Sequence, residues 1–170
     1  CPTATAVGIA AIRGDFAPIS AADEGALHLP VYNLEPPPGV AAQLGFNVLG
    51  EPVTVQLTVS DEYPHNIVAS IESIPQVLFF YSSEVTIWGN PADEAHDPLR
   101  GKCVGEAAIP TEEPVSKGLC PVDVPDEPFL TLPRACLGPL QTTLQATSWE
   151  GEDAEDSVLT HDEATPPNPQ

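Results

Sequence analysis

Val53-Thr54-Val55-Gln56-Leu57-Thr58-Val59 alternates apolar and polar residues without a break. Successive side chains of an extended strand point to opposite faces, so Val53, Val55, Leu57 and Val59 share one face and Thr54, Gln56 and Thr58 the other. Such a strand is half-buried, with one face on a core and one in water. Asp61-Glu62-Tyr63-Pro64-His65-Asn66 then reads as a turn. Ile67-Val68-Ala69-Ser70-Ile71 resumes the strand pattern, so the two segments predict an antiparallel hairpin with a long loop.

The same signals recur outward from this hairpin. Glu84 to Trp88 alternates and ends at Gly89-Asn90-Pro91, and Gln43 to Leu49 ends at Gly50-Glu51-Pro52. Ala6 to Ile12 and Leu29 to Leu34 are shorter candidates, and Leu140 to Trp149 is a late one rich in Thr and Gln. Pro36-Pro37-Pro38-Gly39 is a stiff connection that cannot lie inside a central strand. No helical stripe of useful length appears. About seven or eight strands with frequent turn signals predict an all-β fold, an antiparallel β-sandwich of immunoglobulin-like or related type. The expected domain covers residues 1–149. From Glu150 the composition turns acidic and closes on Pro166-Pro167-Asn168-Pro169, so 150–170 reads as a tail or linker, with Ser157 to Thr160 able to add one strand.

Charge narrows the partners. The 170 residues carry 25 acidic and 5 basic side chains, a net charge of −20. Nucleic acid and anionic membrane surfaces are disfavoured, because both are bound through clustered Lys and Arg. Cations, neutral sugars and other proteins remain, and the charge also serves solubility. No segment approaches the roughly 18 apolar residues of a membrane span. No leader peptide opens the chain, which for a secreted protein places residue 1 after processing or within a longer polypeptide.

Four cysteines, Cys1, Cys103, Cys120 and Cys136, contain no CxxC pair. An even count without a metal spacing predicts two disulfides and an oxidising, extracellular compartment. Three connectivities are possible. Cys103 and Cys120 bracket a segment rich in Pro and Glu and are expected to pin it, which leaves Cys1 for Cys136. A lipidated Cys1 is the lesser alternative, made unattractive by Pro2.

Candidate chemistry is sparse. Asp93, Glu94 and Asp97, beside His96, cluster in a loop after a strand and could hold calcium, a hard cation that takes oxygen ligands. EF-hand spacing is absent. The competing reading is a turn whose acids cap backbone groups or pair with Arg100. The acidic run Glu152 to Asp156 is a weaker calcium candidate. There is no GxSxG and no glycine-rich phosphate loop, and the four histidines, His28, His65, His96 and His161, are scattered. The cysteines are expected to be paired, which removes a thiol nucleophile. With 25 acids, some carboxylate pair will meet a glycosidase spacing by chance. The chain is therefore read as not an enzyme, with no cofactor unless calcium. Trp88 is expected to pack at a sheet end, and two tryptophans do not make a sugar-stacking platform.

Several stretches taken together resemble a known group. These are Cys1-Pro2 with Val7-Gly8, Pro30-Val31-Tyr32-Asn33-Leu34-Glu35-Pro36-Pro37, Leu44-Gly45-Phe46, and Val85 to Asp93 followed by His96-Asp97 and Arg100-Gly101. Cys136 and Ser148-Trp149-Glu150-Gly151 close the set. The pattern resembles an uncharacterised β-rich module of large secreted actinobacterial surface proteins, over roughly residues 1–151. The resemblance implies an extracellular module within a longer chain and supplies no catalytic residue. It also suggests that Cys1 and Cys136 frame the module.

The functional expectation is a structural or assembly module at the cell surface, a subunit or repeat of a fibre, sheath or adhesin. Self-association is expected by strand addition at a sheet edge. The expected added strands are the N-terminal one, through Ala6, Gly8 and Ile12, and the tail strand near Val158. The alternative is a calcium- or glycan-binding module.

Overall fold

A computed structural model describes residues 1–15, 25–62, 65–72, 74, 79–104, 110–131 and 139–159. The chain divides into two compact units, Cys1–Thr131 and Leu132–Gln170. The first holds six strands: β1 (Ala6–Asp15), β2 (Leu27–Leu34), β3 (Ala42–Val48), β4 (Glu51–Val59), β5 (Ile67–Ile71) and β6 (Phe79–Ile87). The second holds β7 (Gln141–Thr147) and β8 (Asp153–Leu159). The all-β, antiparallel expectation is met. The division falls earlier than residue 149, because the late strand leaves the main sheet and pairs with the acidic segment behind it.

The six strands form one sheet in the order β5-β4-β3-β2-β1-β6. Five strands meander, and β6 returns to the far side of β1. The predicted hairpin is β4–β5, with Val55 opposite Ile71, Leu57 opposite Ala69 and Val59 opposite Ile67. Ser60 N–H donates to the Asn66 carbonyl at 2.9 Å and closes its loop.

Register places the core residues of the sheet on one face. Ala10 pairs with Leu29 and Val85, Ile12 with Leu27, Leu44 with Val55, and Phe46 with Val53. Ala10, Ile12, Leu27, Leu29, Val31, Leu44, Phe46, Val48 and Val55 are buried together as the core. The described strands of this unit form one sheet and no second one, so the sandwich expectation is corrected. The sheet instead curls on itself. Ile71 of β5 and Phe80 of β6 sit at opposite ends of the strand order, yet both line one cavity of about 50 Å³ with Ile12, Phe46, Val48 and Val53. The architecture is a half-barrel whose concave face is the core. Period-2 alternation reports that one face is buried, not what buries it. A twisted sheet can meet that demand by curling as well as by stacking.

Two sequence details follow from this topology. Pro30 sits in β2, which has neighbours on both sides. Pairing with β3 involves only Tyr32, Asn33 and Leu34, so Pro30 occupies the stretch of β2 whose β3 side is open, where a missing N–H breaks no ladder bond. Gly8 faces the Thr86 carbonyl so closely that a Cβ would collide with it. Glycine there lets β1 and β6 approach beside the irregularity between Ala6 and Gly8.

The hairpin β7–β8 has two unlike faces. Gln145 pairs with Glu155 and Thr147 with Asp153 on one, each through a side-chain hydrogen bond. Thr142 and Val158, Leu144 and Asp156, and Ala146 and Ala154 lie on the other. Every residue of both strands is exposed. No helix among the described residues is long and apolar enough to cross a membrane.

Candidate functional site: the open edges of the sheet

The acidic loop does not form a cation cradle. Asp93 caps a 3-10 helix, Glu94–Leu99, its carboxylate accepting from Ala95 N–H at 2.9 Å. Asp97 is buried and paired with Arg100, which is only 1% exposed. The guanidinium also donates to the Pro91 carbonyl and, at 2.7 Å, to the Asp93 carbonyl. Its carbon lies 5.9 Å from the ring centroid of Trp88, on which His96 stacks at 4.3 Å. Glu94 is exposed in the first turn of the 3-10 helix. Among the described residues no three His, Cys, Asp or Glu side chains are placed to hold a metal ion. The calcium expectation for Asp93, Glu94 and Asp97 is therefore corrected in favour of the pairing with Arg100. The reason is local: a buried guanidinium needs acceptors around it, and this loop supplies one carboxylate and two carbonyls.

The disulfide joins Cys103 to Cys120, as the spacing predicts. It ties down the segment after the hub, where Cys120 N–H donates to the Asp97 carbonyl at 3.0 Å. Cys1 carries a free, exposed thiol, and Cys136 lies outside the described residues. The expected Cys1–Cys136 bridge therefore falls outside the described residues, among which there is one disulfide. Trp88 is buried at the end of β6, its N–H donating to the Val7 carbonyl at 2.8 Å, which is the packing role expected of it.

His96 and His28 both titrate below the ordinary histidine value. Burial is the main cause in each, and nearby carboxylates, Asp93 for His96 and Glu113 for His28, oppose it. His28 lies on the convex side of the sheet, within 3.3 Å of Thr111 Oγ1. A groove of about 610 Å³ runs there between β1, β2, β6 and the segment around Glu112 and Glu113. Arg13 and Glu112 face each other across it at 3.7 Å, and Glu84, Ser82 and Thr86 add to a largely polar lining without a Trp, Tyr or Phe ring. Such a lining lacks the stacking surface that sugar recognition ordinarily uses.

The edges of the half-barrel are a different kind of surface. All residues of β5 are exposed, and none is charged or proline. Ile67 is 72% exposed. Val59, Ile67 and Ile71 continue the concave face past Leu57 and Val55, yet water reaches them. On the far edge Phe80 and Val85 of β6 lie opposite Gly14 and Ala10, on the same concave face, and are also exposed. Native edges are usually blunted by charge, proline or a covering segment. β5 has no charge or proline of its own.

The expected assembly residues separate on this map. Ala6, Gly8 and Ile12 belong to β1, which is paired on one side to β2 and on the other to β6. β1 is an interior strand, so its reading as an added edge strand is corrected. Position along the chain misled there: the first strand is central because β6 returns beside it. Val158 is exposed on the face of the β7–β8 hairpin that also carries Leu144 and Asp156. The reading of the sequence did not single out β5 as the open edge, although its uncharged run from Ile67 to Ile71 was visible. No protein-family model, no curated protein and no solved structure matches this chain.

Proposed function

We propose that this chain is a non-enzymatic extracellular structural module that self-associates through the open edge of its six-stranded sheet. It serves as a subunit or repeat of a bacterial surface fibre, sheath or adhesin. The observation that carries this reading is β5: an unpaired, uncharged edge strand whose apolar side chains continue the core face into water. Unpaired N–H and C=O groups along such an edge accept a further strand, and the apolar face supplies the burial. Further support comes from the Cys103–Cys120 disulfide, which suits an oxidising compartment, and from the resemblance to secreted actinobacterial surface modules. The net charge of −20 opposes association of copies at low salt and keeps nucleic acid away.

Sedimentation velocity and negative-stain microscopy of the intact chain test this reading. Oligomers or filaments should appear with rising concentration, and more readily at higher ionic strength as the mutual repulsion is screened. Ile67→Lys on β5 should abolish them while leaving a folded monomer. A chain that stays monomeric up to about 100 μM, far weaker than the binding of stable assemblies, overturns the reading.

A further inference from the structure

We propose that β5 pairs with β5 of a second copy, antiparallel about a two-fold axis at Ala69, so that two six-stranded sheets become one continuous sheet. This contact rests on the edge-assembly reading above and names the strand that the edge takes.

Hydrogen-bond parity fixes which groups the edge offers. Ser60 N–H donates to the Asn66 carbonyl at 2.9 Å, and this pair continues the register in which Val59 lies opposite Ile67. In an antiparallel ladder, hydrogen-bonded and non-hydrogen-bonded pairs alternate. Asn66, Val68 and Ser70 therefore turn their backbone groups toward β4. Ile67, Ala69 and Ile71 turn theirs outward, to the side on which no described strand pairs with β5. The β3 side agrees: Leu57, opposite Ala69, accepts there from Ala41 N–H at 2.9 Å. The outward donors and acceptors thus recur at every second residue and are centred on Ala69. Outward residues must meet outward residues, so an axis between two residues is excluded. An axis at Ala69 pairs the whole of Ile67–Ile71 with its copy: Ile67 meets Ile71, Val68 meets Ser70, and Ala69 meets itself. An axis at Val68 or Ser70 leaves one end of each strand unpaired.

The same axis matches side chains and charge. Residues directly opposite each other share a face. Ile67 and Ile71, 72% and 42% exposed, lie with Ala69 on the concave face, and each isoleucine meets the other across the axis, so exposed apolar surface is covered. No charged side chain lies on β5. One residue further, Glu72 falls opposite Asn66 of the second copy rather than opposite an acid. The two Glu72 residues then stand roughly 20 Å apart along the strands, at about 3.4 Å per residue, beyond the Debye length of about 8 Å at physiological salt. A chain of net charge −20 thus meets its copy along a line where no like charges oppose. This self-match in bonding, faces and charge selects a second copy over an unrelated extended peptide. The contact is isologous and closes at two copies, with β6 at both outer edges of the joined sheet. A fibre of such chains is then a fibre of dimers, extended through a second contact.

The test is disulfide trapping in the full-length chain. The parent carries Cys1→Ser and Cys136→Ser, which leaves the Cys103–Cys120 bridge in place. Ala69→Cys, Ile67→Cys or Ile71→Cys is then introduced singly, each at an exposed position of β5. Hydrogen-bonded antiparallel pairs hold their Cα atoms about 5.5 Å apart, within the roughly 4.4–6.8 Å that a disulfide spans. Residue 67 and its own copy stand roughly 14 Å apart across the axis, out of reach, and so do the two copies of residue 71. Under mild oxidation Ala69→Cys should form a cross-linked dimer on a non-reducing gel about tenfold faster, or more, than either isoleucine variant alone. An equimolar mixture of the Ile67→Cys and Ile71→Cys chains should cross-link where neither does alone. Adding Ile67→Lys to the Ala69→Cys chain should remove the fast cross-link. If the native chain associates through an edge that Ile67→Lys abolishes, yet the cysteines do not cross-link in this order, the edge takes another segment of the second copy and only this inference falls. A native chain that never associates removes both the inference and the edge reading beneath it.

Discussion

The loop around Arg100 and the β5 edge are opposites in how their chemistry is used. The loop is irregular, yet most of the polar groups around Arg100 are engaged, its buried Nε being the exception. Arg100 holds Asp97 and two carbonyls, Trp88 covers it, and the Cys103–Cys120 bridge pins the segment that follows. The edge is regular β-structure, yet its apolar side chains are exposed and, among the described residues, one row of backbone groups has no strand beside it. A cluster of acids looks like a binding site because charge is conspicuous. Here the charge answers an internal cation, and the reactive surface is the plain alternating strand. Acids engaged by an internal cation have little left to offer a metal ion.

Removing the cation at the hub has the largest expected effect. Arg100→Met would leave the Asp97 carboxylate buried without its partner, and unfolding in urea should show a loss of about 3–5 kcal/mol. Arg100→Lys should recover little of it, because one ammonium cannot reach acceptors arranged for a planar guanidinium. A loss below about 1 kcal/mol would mean that the loop is no tighter than the edge and would break the contrast. Next comes the disulfide. Replacing Cys103 and Cys120 by serine should cost about 3 kcal/mol, the loop-entropy value for a short closed loop, read as a lower urea midpoint.

A third change sharpens the comparison from the side of the sheet. Leu49 and Gly50 turn β3 into β4 with φ of 53° and 103°. Two positive φ values are what a two-residue hairpin turn demands, but leucine is a poor occupant of that region. Leu49→Asn should raise stability by about 1 kcal/mol, seen as a higher melting temperature. An unchanged or lower melting temperature would show that no strain resides in this turn.

The smallest effect is on pH. His96 in the loop and His28 on the convex face both have folded pKa values below the ordinary 6.5, so the folded state binds fewer protons than the unfolded one just below that value. Their contribution is fully present above about pH 6.5 and is lost as pH falls toward the folded pKa values. His28→Gln and His96→Gln should each flatten the dependence of unfolding free energy on pH between about 7 and 5. Identical slopes in the native chain and both variants would show that neither burial is felt.

The strands were legible because their signal is local. β4 and β5 lie where the alternation and the turn between them place them, and β6 contains the Glu84–Ile87 stretch. The Cys103–Cys120 pair was legible from the segment it brackets. The half-barrel was not, because alternation is the same in a strand of a sandwich and in a strand of a curled sheet. The role of Asp97 was visible only as one of two readings. Choosing between calcium and Arg100 requires knowing which way the guanidinium points, and no spacing encodes that.

What the amino-acid order determined by itself is the all-β class, the positions of most strands, the strongly acidic character and one disulfide. These are properties of neighbouring residues and of summed charge, and they need no knowledge of distant contacts. Tertiary structure alone decided that the first strand is interior, that β5 and β6 are the open edges, and that Asp97 of the 93–97 loop faces inward. Each of those depends on which strands meet across the chain. Strand meeting is governed by the twist of the sheet and by the return of β6 to β1, a long-range choice made by packing rather than by any local pattern.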